Sequence, residues 1–225
     1  MTNVTFAVPE DAFKKMREHP EIKWSEIARK AITDYASSLE YKDKHKGTQL
    51  LFEADEKGKL NGKFVQRWDA HSTPGVKHLA FAILVLNSKG EFVLHKRPGR
   101  KVGGGKLDTP VSHVLSHETK NEAMWRCLKE EYGIEEHIPF VHFDGFSYYK
   151  DYGDGTCENE FCLVSIARYD GKIKPNEKEV EGKLVFLPAK NALQEIKKNQ
   201  DKYPVWFIKS IELLSKDPTG RTYLA

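Results

Sequence analysis

The stretch from Ser112 to Ile134, SHVLSHETKNEAMWRCLKEEYGI, decides the fold of the larger part of this chain. Its second half predicts a helix over Lys120–Tyr132 that ends at Gly133, because glycine tolerates the left-handed conformation that closes a helix. Acidic side chains one turn apart on such a helix share a face and can hold divalent cations. The apolar face of the helix is formed by Ala123, Met124 and Leu128.

Short apolar runs bounded by turn residues flank this helix on both sides and predict a mixed or antiparallel sheet. Two closing helices follow the last strand. The predicted strands are Leu79–Leu86 and Phe92–His95, joined by a hairpin turn at Asn87–Gly90, and then Val141–Tyr149, Glu158–Arg168 and Lys183–Leu187. The predicted closing helices are Ala189–Lys198 and Val205–Leu214.

The amino-terminal segment has a different pattern. Apolar and polar residues alternate over Asn3–Val8, which predicts a half-buried strand ended by Pro9. A short helix then runs to His19, and Ser25 is the predicted N-cap of a second helix that reaches about Leu39. The polar segment Tyr41–Gly47 lacks apolar periodicity and predicts a linker. We therefore expect domains at residues 1–40 and 49–225 with a linker over 41–48.

Composition gives the general class of the protein. The chain has 225 residues, a net charge of +3 and 39% hydrophobic residues, which is typical of a globular protein. No run of about 18 apolar residues could span a bilayer, and the amino terminus lacks a secretory pattern, so we expect a cytoplasmic protein without a membrane partner. The three cysteines have no CxxC spacing, which argues against disulfides and against a structural zinc site.

The order strand, helix, turn, helix in MTNVTFAVPEDAFKKMREHPEIKWSEIARKAI resembles the ribbon-helix-helix modules of bacterial and archaeal repressors and antitoxins. This resemblance implies a homodimer whose paired strands enter the major groove of a DNA operator. It implies that Asn3 and Thr5 read bases and that Ser25 helps to hold a phosphate. The alternative is a dimerisation ribbon that touches no DNA, which Ala7 favours because alanine offers a base no hydrogen bond.

The stretch from Ser112 to Ile134 also resembles a Nudix box, which implies an α/β/α sandwich with a mixed sheet, and an α+β protein overall. The resemblance implies that Glu118, Glu130 and Glu131 place cations and activate water. Two positions depart from the pattern, since Ser112 replaces a glycine and Cys127 replaces an acidic residue. The matching positions are Glu118, Arg126, Leu128, Glu130, Glu131, Gly133 and Ile134.

The surrounding segments AHSTPGVKHLAFAILVLNSKGEFVLHKRP, GTCENEFCLV and YPVWF resemble the type I isopentenyl-diphosphate isomerases in the same order. Imidazole and carboxylate ligands suit Mn²⁺, Zn²⁺ or Mg²⁺. Glu160 is in addition a predicted catalytic carboxylate. The metal ligands that this resemblance implies are His71, His78, His113, Glu158 and Glu160.

The same resemblance implies a site for a diphosphate, which needs charge-assisted hydrogen bonds. Lys101 could equally be a solvated surface lysine. Trp206 matches a tryptophan that stabilises a carbocation, although a structural role is an equal alternative. The implied diphosphate ligands are Arg67, Arg97, Lys101 and Ser112.

One departure bears directly on function. Val111 stands where the isomerases carry a proton-transferring cysteine, and it has no ionisable group, so we expect no isomerisation. Two hypotheses remain. The first is a ligand-responsive transcriptional regulator that senses or processes a diphosphate metabolite. The second is a metal-dependent Nudix diphosphate hydrolase whose amino-terminal module only dimerises.

Overall fold

The computed structural model of the chain describes residues 5, 7–29, 32 and 49–225. The chain divides into two compact units, Met1–Lys44 and His45–Ala225. The predicted linker over 41–48 lies outside the described residues, as does the end of the predicted second helix near Leu39. No helix in the described ranges has the length and apolar character needed to cross a membrane.

The described part of the first unit contains two helices, α1 (Glu10–Glu18) and α2 (residues 24–29). The predicted first helix is confirmed. In the turn between the helices, the Trp24 indole N–H donates to the carbonyl oxygens of Met16 (3.1 Å) and His19 (3.2 Å). No residue of α1 is buried, and Phe13 and Ile27 are 49% and 52% exposed. The described part of this unit buries little apolar surface within a single chain.

The structure bears on two predictions for the amino-terminal unit. The prediction that Ser25 is an N-cap is wrong, because the Ile27 amide donates to the Lys23 carbonyl (3.2 Å) and α2 already begins at residue 24. Only Thr5, Ala7 and Val8 of the predicted strand are described, and no strand is assigned to them. Asn3 lies outside the described residues. Because a ribbon strand pairs with a second chain, that prediction stays untested by a single chain.

The second unit is built on a nine-stranded mixed sheet centred on β3. Strand β3 pairs antiparallel with β1, β4 and β6 and parallel with β8. Every residue of β3 is buried, as expected for a strand covered on both faces. The strands are β1 (Leu50–Ala54), β2 (Leu60–Gln66), β3 (His78–Leu86), β4 (Glu91–Lys96), β5 (Leu107–Asp108), β6 (Val111–His113), β7 (Phe140–Asp151), β8 (Cys157–Arg168) and β9 (Glu181–Pro188).

Helices cover both faces of this sheet. Helix α4 (Lys120–Tyr132) packs with alternate β3 residues such as Phe81 and Ile83 on one face. Helices α5 (Ala189–Lys198) and α6 (Val205–Lys216) pack with Leu84 and its neighbours on the other. The predicted α/β/α sandwich is confirmed. Two short helices, α3 (Arg67–His71) and α7 (Pro218–Tyr223), complete the unit.

The predicted bounds of α4 and α5 are confirmed to the residue, and the five predicted strands lie within one or two residues of their observed ends. Helix α4 begins with a capping box between Thr119 and Glu122 and ends at Gly133, whose φ is 64°. These terminal signals fix where α4 lies along the sheet. They also fix which of its side chains reach the site described below.

Candidate metal and diphosphate site

Three histidines and one glutamate meet at one edge of β3. The ligand atoms of His71, His78, His113 and Glu160 all lie within 4.8 Å of one another. The sheet register causes this meeting, because Glu160 of β8 lies opposite His78 at the start of β3. His113 of β6 lies opposite Ala80, two residues further along β3. Helix α3 supplies His71 at its last position.

The contacts around this cluster orient the side chains. His78 Nδ1 lies 2.8 Å from the Val76 carbonyl oxygen, so Nδ1 carries the proton and Nε2 presents a lone pair 3.4 Å from Glu160 Oε1. His113 Nε2 lies 2.9 Å from the same carboxylate oxygen. The Tyr148 hydroxyl donates to the other oxygen, Glu160 Oε2, at 2.5 Å. Tyr148 was not predicted from the sequence, although it lies directly opposite Glu160 in β7.

A divalent cation fits these residues. His78 Nε2 and His113 Nδ1 are buried and have no hydrogen-bond partner among the described residues. Burial lowers the pKa of His113 well below its usual value, which keeps the imidazole in the neutral form that binds metals. Burial alone would raise the pKa of Glu160, but the adjacent His113 and His78 rings, 2.9 Å and 3.4 Å from its Oε1, hold it well below its usual value. Neutral imidazoles with an ionised carboxylate suit Mn²⁺, Zn²⁺ or Mg²⁺.

Glu158, the fifth predicted ligand, lies beside the cluster and does not belong to the group of four. Its Oε2 is 3.1 Å from His71 Nδ1, which also lies 3.1 Å from the Cys157 carbonyl oxygen. Burial raises the pKa of Glu158 to about 7, with the neighbouring Glu160 charge acting in the same direction. Glu158 is therefore placed to orient His71 or to complete the coordination of a metal ion.

The cluster opens into a cavity of about 560 Å³. All four predicted diphosphate ligands, Arg67, Arg97, Lys101 and Ser112, line this cavity. Arg100, which is exposed and was not predicted, also lines it. Among the described residues, five basic and six acidic side chains line the cavity, so its walls are not cationic by themselves. A bound divalent cation would reverse that balance.

Arg97 and Trp206 form one network with Asp108. The Trp206 indole N–H donates to Asp108 Oδ1 (2.8 Å), and Arg97 donates to Asp108 Oδ2 (3.2 Å). The Arg97 guanidinium lies over the Trp206 ring, 4.9 Å from its centroid. Trp206 is only 2% exposed. It thus both supports Arg97 and lines the cavity, so the two roles foreseen for it are compatible.

Val111 lines the cavity immediately before Ser112 and His113 in β6. It pairs with Ala82 of β3 and is half-buried. The cavity wall next to the metal cluster therefore carries an apolar side chain at this position.

The family follows from sequence comparison. A Nudix domain model matches residues 76–207, more than half of the chain. The chain belongs to the Nudix family. A second model, of ribbon-helix-helix-like proteins, matches residues 4–69, and so the chain carries an amino-terminal ribbon-helix-helix module.

Several relatives of this chain are isopentenyl-diphosphate isomerases. The one from Haloarcula marismortui is 33% identical over 55% of this chain and 68% of its own length. The one from Klebsiella pneumoniae is 31% identical over 58% of this chain and 70% of its own length. A crystal structure from Deinococcus radiodurans shares the fold, with a TM-score of 0.57 and 20% identity over 73% of this chain and 98% of that one.

The Nudix box carboxylates differ in their positions. Glu130 and Glu131 line the cavity, but Glu118 does not. Glu118 accepts hydrogen bonds from Arg126 Nε (2.6 Å) and Nη2 (2.9 Å) and from the Leu115 amide. Arg126 also donates to the His113 carbonyl oxygen (2.9 Å), which joins α4 to the metal cluster. The structure thus places Glu118 behind the cavity, where it orients Arg126.

His95, one of the histidines without a predicted function, is fully buried under α4. Its Nδ1 lies 3.2 Å from the Tyr132 hydroxyl, which donates to the Val93 carbonyl oxygen. Burial lowers the pKa of His95 to about 3, with the Lys101 and Arg97 charges acting in the same direction. The folded chain therefore holds His95 neutral throughout the neutral and mildly acidic range.

This pKa predicts a loss of stability in acid. The unfolded chain binds a proton at His95 near pH 6.5 and the folded chain does not, so stability falls as the pH drops below 6.5. Between pH 7 and pH 5 we expect this histidine to contribute a loss of roughly 2 kcal/mol. Urea unfolding of the wild type and of His95→Gln at both pH values measures it. Equal losses in the two proteins would contradict the assignment.

Proposed function

We propose that this protein is a ligand-responsive transcriptional regulator whose Nudix domain binds a diphosphate metabolite beside one divalent metal ion. The observation that carries the proposal is the cavity wall, where His71, His113 and Glu160 of the metal cluster lie together with two arginines and Val111 stands two residues before His113. Such a cavity can bind and orient a diphosphate compound. It lacks an ionisable side chain at one wall where isomerisation would need one.

Two groups of side chains in the cavity would bind the metal and the diphosphate. His71, His78, His113 and Glu160 would hold the metal, with Glu158 beside them, and the metal would supply positive charge toward the diphosphate oxygens. Arg67 and Arg97 supply guanidinium groups, which form charge-assisted hydrogen bonds to phosphate. Gln49 holds the Arg67 guanidinium at 2.9 Å. The contacts of Arg67 with Gln49 and of Arg97 with Asp108 and Trp206 hold both guanidinium groups in position in the absence of a ligand.

The names of the relatives suggest one ligand to test first. Isopentenyl diphosphate is the substrate in the names of the similar isomerases, and a small apolar tail suits a cavity lined by Val111, Trp206 and Tyr148. We propose an isoprenoid-type or related diphosphate as the ligand class.

The amino-terminal module would provide the DNA response. Phe13 and Ile27 are about half exposed in the single chain, and a second copy would cover such residues in a ribbon-helix-helix dimer. In such a dimer Asn3 and Thr5 would face the major groove, and the amides at the start of α2, with Ser25 in its first turn, would approach a phosphate.

A diphosphate hydrolase is the second candidate, because Glu130 and Glu131 line the cavity. In that case the ribbon-helix-helix module would serve only to dimerise the chain.

A selection from a random DNA pool with the metal-loaded chain tests the regulator. We expect a dimer that enriches a short palindromic sequence and binds it less tightly as salt rises, because phosphate contacts release counterions. Asn3→Ala should cost about 1–3 kcal/mol in binding free energy if Asn3 makes a bidentate base contact. Asn191→Ala, an exposed change in α5 of the Nudix domain, is the matched control and should leave binding unchanged. A pool without any enriched sequence, together with hydrolysis of the diphosphate, would favour the second candidate.

A further inference from the structure

We infer that the Nudix box of this protein no longer holds a divalent cation of its own, and that the Lys101 ammonium occupies the place of that ion. This inference shares one assumption with the proposed function, namely that the histidine and glutamate cluster is the metal site. It predicts one divalent ion per chain, where a metal-binding Nudix box would add at least one more.

Lys101 is bound entirely by protein oxygens. Its Nζ lies 3.1 Å from Glu131 Oε1, 2.8 Å from Glu179 Oε2 and 3.2 Å from the Glu179 carbonyl oxygen. An ammonium group has three N–H donors, and these three oxygens match that number. The Lys101 side chain is 17% exposed and that of Glu131 is 6% exposed, so the pair is largely shielded from water. Lys101 thus neutralises the box rather than presenting a free donor to the diphosphate.

Arg126 engages the other two carboxylates of the box. It makes two hydrogen bonds to Glu118 and lies 3.6 Å from Glu130 Oε2. The remaining acidic position of the pattern is Cys127, which is 1% exposed and brings no carboxylate. Each acidic residue of the box is therefore either paired with a cation of the chain or replaced.

The oxygen that is left cannot hold a metal ion well. Glu131 Oε2 has no hydrogen-bond partner among the described residues and lies 4.0 Å from Nε2 of the buried His95. Magnesium bound through one or two carboxylates keeps several waters in its octahedral shell. Glu131 Oε2 is a single oxygen of a side chain that is only 6% exposed, which leaves little room for those waters, so the site is weak. A divalent ion there would also be repelled by the Lys101 and Arg126 charges. The donor set of the box therefore does not fit a divalent cation in this chain.

The number of bound ions tests the inference directly. The full-length, metal-free protein is titrated with Mn²⁺, and free Mn²⁺ is followed by electron paramagnetic resonance. We expect one tightly bound ion per wild-type chain and a second ion in Lys101→Met, bound at least about tenfold more tightly than any second ion in the wild type. Lys101→Gln, which keeps N–H donors for Glu131, provides a second variant if Lys101→Met folds poorly. Lys96→Met removes a surface lysine that pairs with Glu181 and should leave the count at one.

Two results would overturn the inference. One is a wild-type chain that binds two ions and loses the second in Glu131→Gln. The other is a Lys101→Met chain, and a Lys101→Gln chain, that bind no more Mn²⁺ than the wild type. A wild type that binds no ion, with one ion gained in Lys101→Met, would support the inference about the box while it contradicts the proposed histidine and glutamate site.

Discussion

Isopentenyl diphosphate incubated with the metal-loaded wild-type protein is expected to stay unisomerised, whereas Val111→Cys is expected to isomerise it. Val111 lines the cavity one residue before Ser112, and a thiol there would supply the missing proton carrier. A positioned acid or base contributes about 10²- to 10⁴-fold to a rate, so we expect Val111→Cys to exceed the wild type by at least about 10²-fold. The rate of isomerisation by each protein is measured by NMR, from the incorporation of deuterium from deuterated water into the substrate.

Val111→Ala is the matched control, because it changes the size of the side chain without adding an ionisable group. It should remain as inactive as the wild type. Turnover by the wild-type chain that is unchanged in Val111→Cys would show that proton transfer uses other groups. Tyr148 and Glu160, which share a hydrogen bond at the cavity wall, would then be the first residues to examine.

Metal binding to the histidine and glutamate cluster is expected to stabilise the folded protein. A ligand that binds only the folded chain stabilises it by about 2.7 kcal/mol at 100 times its Kd. We therefore expect Mn²⁺ or Zn²⁺ at that ratio to raise the free energy of unfolding of the wild type by about this amount. Glu160→Gln should lose most of the gain, because Glu160 is the carboxylate that contacts both His78 and His113. Urea unfolding with and without metal measures the difference.

Glu181→Gln is the control for this comparison, since Glu181 lies on the surface and pairs with Lys96. It should keep the full stabilisation by metal. An equal metal response in Glu160→Gln and the wild type would place the ion elsewhere.

The sequence predicted those parts of the Nudix domain that carry periodic patterns or terminal signals. Helix α4 was predicted to the residue because Gly133 and the apolar face mark it clearly. Strand β2 was missed, since only Val65 of its seven residues is buried and no alternation results. Strands β5 and β6 have two and three residues, which is too short for a periodic pattern.

The sequence predicted those site residues whose type alone indicates their chemistry. It did not predict residues whose function depends on which side chain the fold brings next to them. The sequence and its family resemblance brought together His71, His78, His113 and Glu160, and the structure places these four side chains within one cluster. Tyr148 was missed because only the pairing of β7 with β8 brings it to Glu160.

Lys101 was matched to a diphosphate position, but its contacts with Glu131 and Glu179 depend on a loop whose path no pattern in the sequence indicates. The position of Glu118 behind the cavity likewise follows from its contact with Arg126.

The central claim is that a diphosphate in the Nudix cavity changes the affinity of the ribbon-helix-helix dimer for DNA. The most direct test is the Kd for the enriched operator, measured by fluorescence anisotropy with and without saturating isopentenyl diphosphate. We expect a change of about 5- to 150-fold, which corresponds to 1–3 kcal/mol of coupling. Arg97→Ala should remove the change and leave binding in the absence of ligand intact. An operator affinity that stays the same at saturating ligand would contradict the claim.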